Sequence, residues 1–127
     1  MIMFAVKIKA NFSAAHQLAE VGGKCESLHG HNFAVEVVVE AEALDECGLV
    51  IDFRLLKSKT RSILDTFDHH YLNELPMFQG KNPSAENIAA YIYAQLAKEI
   101  DQGLRKVSRI SVWESESSQA TYFRPGK

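Results

Sequence analysis

Three histidines and a thiol gather near the N-terminus, in Phe12-Ser13-Ala14-Ala15-His16 and Cys25-Glu26-Ser27-Leu28-His29-Gly30-His31. Three neutral imidazoles that leave a fourth position free are the ligand set of a catalytic zinc. In an extended segment side chains two apart point the same way, so His29 and His31 can reach one ion while Gly30 faces away. His16, arriving from a neighbouring strand, completes the set. Nitrogen ligands favour a borderline metal; zinc is the first expectation, with iron and nickel as alternatives. The competing reading is a closed structural site in which Cys25 supplies a fourth ligand.

Other residues carry the means to move protons. Cys25 is the natural base or nucleophile: a divalent cation and Lys24 nearby would raise its thiolate fraction, and Glu26 pushes the other way. Cys47, before Gly48 and without evident partners, reads as an inert buried thiol. Asp68-His69 reads either as an imidazole oriented by its neighbouring carboxylate or as a surface ion pair, and His70 as structural or supporting. Glu114 follows Trp113 in a strand whose inward residues include Ile110 and Val112, so period 2 places its carboxylate on their apolar face. An unpaired buried carboxylate is costly, which leaves exposure at the strand end or a partner such as a guanidine-like group, the ideal bidentate match.

These residues sit on a chain of 127 residues, sized for a single domain spanning 1–127. Hydrophobic residues make up 46% and charged residues 24%, the balance of a globular protein rather than a disordered one. A net charge of −2 with dispersed Lys and Arg gives no footprint for nucleic acid or an anionic membrane, and no apolar run reaches a membrane span. The first residues lack a secretory pattern, so both cysteines are expected as reduced thiols in a cytoplasmic protein.

Positioning falls to six elements. Phe4, Val6, Ile8, Ala10 and Phe12 alternate with polar residues in a first strand over Met3–Phe12, and Phe33, Val35, Val37 and Val39 mark a second, from His29 to about Ala43. Asp52 caps a helix with the stripe Phe53, Leu56, Thr60, Ile63, Leu64 and Phe67. After a loop from Asp68 to Pro83, Ser84 caps a second helix with Glu86 in its first turn, buried residues Ile88, Tyr91, Ile92, Leu96 and Ile100, and an end at Gly103. Strands over Val107–Ser115 and Gln119–Arg124 close the chain. The order β-β-α-α-β-β predicts an α+β domain with a largely antiparallel sheet and helices on one face.

Together the segments resemble the 6-pyruvoyl-tetrahydropterin synthase superfamily, most closely its bacterial branch, the 6-carboxy-tetrahydropterin synthases of queuosine biosynthesis. The resemblance spans the chain and rests on the two histidine segments with Val50-Ile51-Asp52-Phe53, Leu64-Asp65-Thr66-Phe67-Asp68-His69-His70-Tyr71-Leu72-Asn73, Asn82-Pro83-Ser84-Ala85-Glu86-Asn87 and Val112-Trp113-Glu114. It implies the tunnelling fold, assembled by sheet edges into a homohexamer, a dimer of trimers, with active sites between subunits. It implies zinc on His16, His29 and His31, Cys25 as the base, Asp68 and His69 as the proton relay, and Glu114 as the anchor of the pterin's guanidine-like edge. Ser84 stands where the family often has Thr and keeps a hydroxyl for the pterin. The implied reaction is that of a lyase converting 7,8-dihydroneopterin triphosphate to 6-carboxy-tetrahydropterin, acetaldehyde and triphosphate. Glu26 is a departure similar to relatives that release 6-hydroxymethyl-dihydropterin, which makes it an alternative base and a dual-function or folate-branch enzyme an alternative. A 6-pyruvoyl-tetrahydropterin synthase and, outside enzymes, a zinc-stabilised pterin-binding scaffold are the others.

Overall fold

The computed structural model describes residues 3–19 and 27–125. Strand β1 (Phe4–His16) and strand β2 (His29–Ala41) pair antiparallel without interruption, from Phe4 opposite Ala41 to His16 opposite His29. Directly opposed residues present their side chains to the same face. Ile8 and Phe12 therefore lie beside Val37 and Phe33, all buried, and farther along the same face come His31, opposite Ala14, and His29, opposite His16. Strand β3 (Lys106–Ser115) continues the rows through Ile110 opposite Val37 and Val112 opposite Val35, and β4 (Ser118–Phe123) completes an open sheet of order β1-β2-β3-β4.

Helices α1 (Phe53–Leu64) and α2 (Ala85–Ile100) cover the apolar face, α1 against β1 and α2 against β3 and β4. Each begins where a side-chain oxygen satisfies a free N–H of the first turn: Asp52 accepts from the Arg54 amide, and Ser84 from the Asn87 amide at 3.1 Å. The helical stripes bury Leu56, Thr60 and Leu64 from α1 and Ile88, Ile92, Leu96 and Ile100 from α2. The α+β architecture and element order are those expected.

Boundaries shift for local reasons. β1 runs past Phe12 to His16, because Ser13 and Ala15 alternate with buried Ala14 and His16 in a continuation too small in side-chain volume to show as an apolar pattern. β2 stops at Ala41 rather than Ala43. α1 stops at Leu64, and Phe67 is buried from the following turn, its amide donating to the Leu64 carbonyl at 2.9 Å. α2 ends at Ile100 rather than at Gly103: Asp101 is extended and its carboxylate accepts from the Val107 amide at 2.8 Å, while Gly103 takes a positive φ of 59° in the turn beyond. The loop between the helices contains two short 3₁₀ turns, Leu72–Glu74 and Pro76–Phe78, whose Leu72 and Phe78 are buried. Cys47, expected as a buried thiol, is exposed in a turn where the Asp45 carboxylate accepts from the Cys47 and Leu49 amides. Among the described residues no helix is long and apolar enough to cross a membrane.

Phe33 joins the core to what lies beyond it. Its ring stacks on Phe12 at 4.8 Å and meets the rings of His16 and His31 edge-on at 5.4 and 5.5 Å. Phe33→Ala should cost about 3–5 kcal/mol, as for a large ring removed from a packed core, and lower the denaturant midpoint at unchanged m-value in an equilibrium unfolding titration.

Candidate metal centre and its surroundings

Beyond Phe33 the shared face of β1 and β2 changes from hydrocarbon to imidazole. His16 is fully buried, and its Nδ1 lies 2.8 Å from the Pro83 carbonyl, just before the α2 cap. His29 Nδ1 lies 2.8 Å from the Ser27 carbonyl. A carbonyl oxygen only accepts, so both Nδ1 atoms carry the proton and both Nε2 atoms turn a lone pair inward. Those two Nε2 atoms are 3.0 Å apart, although neither can donate to the other.

Glu114 enters the same space. Its Oε1 is 2.9 Å from His16 Nε2, 3.1 Å from His31 Nε2 and 3.6 Å from His29 Nε2. Trp113 pairs with Gln119 and Ser115 with Ser118, a register shift that places a bulge at Glu114; bulges re-aim side chains in this way beside functional sites. The alternatives of plain exposure or an apolar setting both give way to a partly buried carboxylate held among imidazoles.

Four potential ligand atoms, from His16, His29, His31 and Glu114, thus lie within 4.8 Å of one another. Converging lone pairs and a carboxylate repel unless something positive sits among them, and a single proton would satisfy only one of the contacts. Four ligands at about 2.0–2.1 Å from a tetrahedral zinc are about 3.3 Å apart, and the contacts above scatter around that value. The residues fit a metal ion.

Asp68 and His69 form a separate pair at the outer edge of β1. The His69 amide donates to the Ser13 carbonyl at 2.6 Å and the Ala15 amide to the His70 carbonyl at 3.1 Å, so this segment runs beside β1 like a short added strand. His69 has φ 60°, and this left-handed turn lets adjacent side chains face each other, with His69 Nδ1 3.1 Å from Asp68 Oδ2. Asp68 is no freely rotating surface acid: its Oδ1 accepts from the Ser13 amide at 2.8 Å, and that bond, with His69 adding to it, holds the carboxyl below the usual carboxylate range. His69 and His31 line one shallow depression with Ser13, Ala15, Gly30 and Tyr71. His70 supports the turn, its Nδ1 lying 2.8 Å from the Asp68 carbonyl. Ser84 lies one residue from the carbonyl that orients His16, its hydroxyl oxygen engaged as the α2 cap.

Two asparagines whose sequence context gave them no role position the chain after His16. Asn73 accepts from the Gln17 amide at 2.9 Å and donates to the Gln17 carbonyl at 2.7 Å, and Asn82 does the same for Ala19 at 2.8 and 2.9 Å. Each primary amide reads one residue's backbone as a neighbouring strand would. Their only sequence signal was placement next to the histidine and proline motifs. Lys24, Cys25 and Glu26 lie outside the described residues.

The α+β fold, whose core face ends in three histidines and one carboxylate, defines a scaffold with a site that could hold a metal ion. The chain belongs to the 6-pyruvoyl tetrahydropterin synthase family, whose sequence profile matches residues 5–125. It is 38% identical to the 6-carboxy-5,6,7,8-tetrahydropterin synthase of Synechocystis, over 97% of this chain and 95% of that one. It is also 39% identical to a dihydroneopterin monophosphate aldolase of Pyrococcus furiosus, over 84% of this chain and 85% of the other. The crystal structure of 6-pyruvoyl tetrahydropterin synthase from Plasmodium vivax superposes with a TM-score of 0.81 at 28% identity, covering 98% of this chain and 99% of that one.

The lowered Asp68 carboxyl sets a pH dependence. A carboxyl depressed on folding stabilises above its unfolded value and loses that contribution as pH falls through the folded one, here below about pH 4. In metal-free protein, the gap in urea midpoint between wild type and Asp68→Asn should therefore narrow between about pH 6 and about pH 3. A constant gap would assign the loss to packing.

Proposed function

We propose that the protein is a zinc-dependent 6-carboxy-5,6,7,8-tetrahydropterin synthase, a lyase that converts 7,8-dihydroneopterin triphosphate to 6-carboxy-tetrahydropterin, acetaldehyde and triphosphate. The observation that carries this reading is the convergence of three imidazole Nε2 atoms and one carboxylate at the end of the core face, in a chain 38% identical to a protein of that name.

His16, His29 and His31 hold the zinc. Bound there, zinc supplies Lewis acidity that makes a C–H beside a polarised oxygen easier to deprotonate. Cys25 takes that proton, a role supported by its spacing from His29-Gly30-His31 in the sequence. Asp68 keeps the His69 imidazole oriented, and His69 passes the proton on. Glu114 grips the guanidine-like edge of the pterin, and the Ser84 hydroxyl, still able to donate its hydrogen while it caps α2, adds a polar contact. β1 and β4 are the margins of an open sheet, and pairing of such margins between copies removes exposed edges, in keeping with a homohexamer of two trimers; the same proposal puts the enzyme in the cytoplasm, on the queuosine route.

A second reading is favoured by Glu26 beside Cys25 and by the 39% identity to the aldolase: release of 6-hydroxymethyl-7,8-dihydropterin, with Glu26 as base. Chromatography of the products formed from 7,8-dihydroneopterin triphosphate separates the two. Acetaldehyde with 6-carboxy-tetrahydropterin is expected, and a wild type yielding only the hydroxymethyl product would overturn the assignment.

Two sets of variants test the roles. His29→Ala or His31→Ala should lose most bound zinc and activity together, whereas Cys25→Ala should retain zinc by elemental analysis and lose acetaldehyde release. Zinc lost on Cys25→Ala would instead make the thiol a ligand. Glu26→Gln should leave acetaldehyde release intact and suppress any hydroxymethyl product. Light scattering should find a hexamer, and a stable active monomer would rule out sites shared between subunits.

A further inference from the structure

One side chain in the first turn of α2 points its donor outside the helix. Asn87 is the third helical residue, a position from which a side chain commonly reaches back to the cap amide. Its backbone amide donates to Ser84 Oγ at 3.1 Å, but its side-chain Nδ2 donates at 2.7 Å to the Asn82 carbonyl, five residues back and before the cap. Asparagine is a weak helix former, so the helix itself gains little from it here.

The Asn82 carbonyl belongs to the rigid peptide plane that joins Asn82 to Pro83. The proline ring fixes the next torsion, φ, at about −65°. With the plane held by Asn87 on one side and Ser84 engaged as the α2 cap on the other, the carbonyl of buried Pro83 is left little freedom to swing. That oxygen lies 2.8 Å from His16 Nδ1. The Asn82 side chain meanwhile holds the Ala19 amide and carbonyl, three residues beyond His16. Two grips on the His16 segment, one on the ring and one on the backbone, therefore start from the residue whose carbonyl Asn87 holds.

We propose that Asn87 is a positioning residue for the metal centre: by holding the Asn82 carbonyl it aims the Pro83 carbonyl at His16 Nδ1, and so aims His16 Nε2 at the metal. The inference rests on the zinc site of the function proposed above. It gives Asn87 no contact with metal or substrate; the effect passes through Pro83 to a ring that is fully buried. Groups that hold a ligating imidazole by its other nitrogen change metal affinity by about 10–100-fold when lost, and Asn87 stands directly behind such a group. By linkage, a contact that orients His16 for the metal must itself be tightened by bound metal.

Zinc affinity, measured by competition with a chromophoric chelator, tests this in two variants. Asn87→Asp keeps the size of the side chain, sets an acceptor against the carbonyl in place of the donor, and puts a negative charge where the helix dipole favours one. Asn87→Ala removes the contact outright. Each should bind zinc about tenfold or more weakly than wild type, and the visible absorption bands of the cobalt(II)-loaded forms should move. Tyr93→Phe is the control for a general loss of stability: it removes a buried hydrogen bond from the same helix, 3.0 Å to the Val107 carbonyl, at the end of β3 away from Glu114. That variant should lower the urea midpoint with zinc affinity unchanged. Either Asn87 variant binding zinc as tightly as wild type would overturn the proposal, and so would a matching loss of affinity in Tyr93→Phe. Should neither Asn87 variant fold, wild type still decides: zinc should slow solvent exchange of the Asn87 side-chain amide protons more than that of the Val37 backbone amide in the core, and equal slowing would overturn the proposal. Wild type that takes up no zinc would instead remove the metal assignment, and this inference with it.

Discussion

The register between β1 and β2 is the constraint on which the site depends. Thirteen uninterrupted pairs put His16 opposite His29 and two positions from His31 on the same face as Phe12 and Phe33. A slip of one residue would turn every imidazole to the other side of the sheet, along with the whole apolar row behind it. The register is protected because burial of Ile8, Phe12, Phe33 and Val37 opposes any slip. Core and ligands therefore share one geometric specification, and the hydrophobic effect does the work of aligning a polar centre.

At the boundary between the two regions, Phe33 presents a face to Phe12 and its surroundings to two imidazoles. Rings that cannot rotate freely make good ligands, since ordering them costs little further entropy when an ion binds. Backbone carbonyls at Ser27 and Pro83, on separate segments of the chain, fix the tautomers of His29 and His16. The N-terminus of α2 is thereby tied to the metal centre through Pro83, next to the serine that starts the helix.

Much of this was legible in the residues. Alternation in both early strands, the Asp52 and Ser84 caps and the stripes of both helices follow from periodicity and side-chain chemistry, and the His-x-His pair announces its shared face. Other features were hidden because they depend on contacts across long separations. The bulge that turns Glu114 toward the histidines arises from a mismatch with β4, and no pattern within β3 reports it. The Asp68-His69 pair needed a positive φ that an unbranched, non-glycine residue gives no reason to expect, and it is stabilised by Ser13, 55 residues away. Cys47 looked like a core thiol by type alone; the turn built on Asp45 places it in solvent. Asn73 and Asn82 read as loop polarity, whereas both serve as substitutes for a strand.

Those two asparagines make the scaffold modular. Their amides fasten the backbone at Gln17 and Ala19, and β2 fastens it again from His29 onward, so the histidines on either side are each held by contacts among the described residues. Under the proposed function, substitutions in the interval that carries Cys25 and Glu26 would exchange the reacting group while the histidine geometry stands. On that proposal, relatives with the same core and the same three histidines would diverge in product through this interval, where the present sequence carries both a thiol, Cys25, and a carboxylate, Glu26.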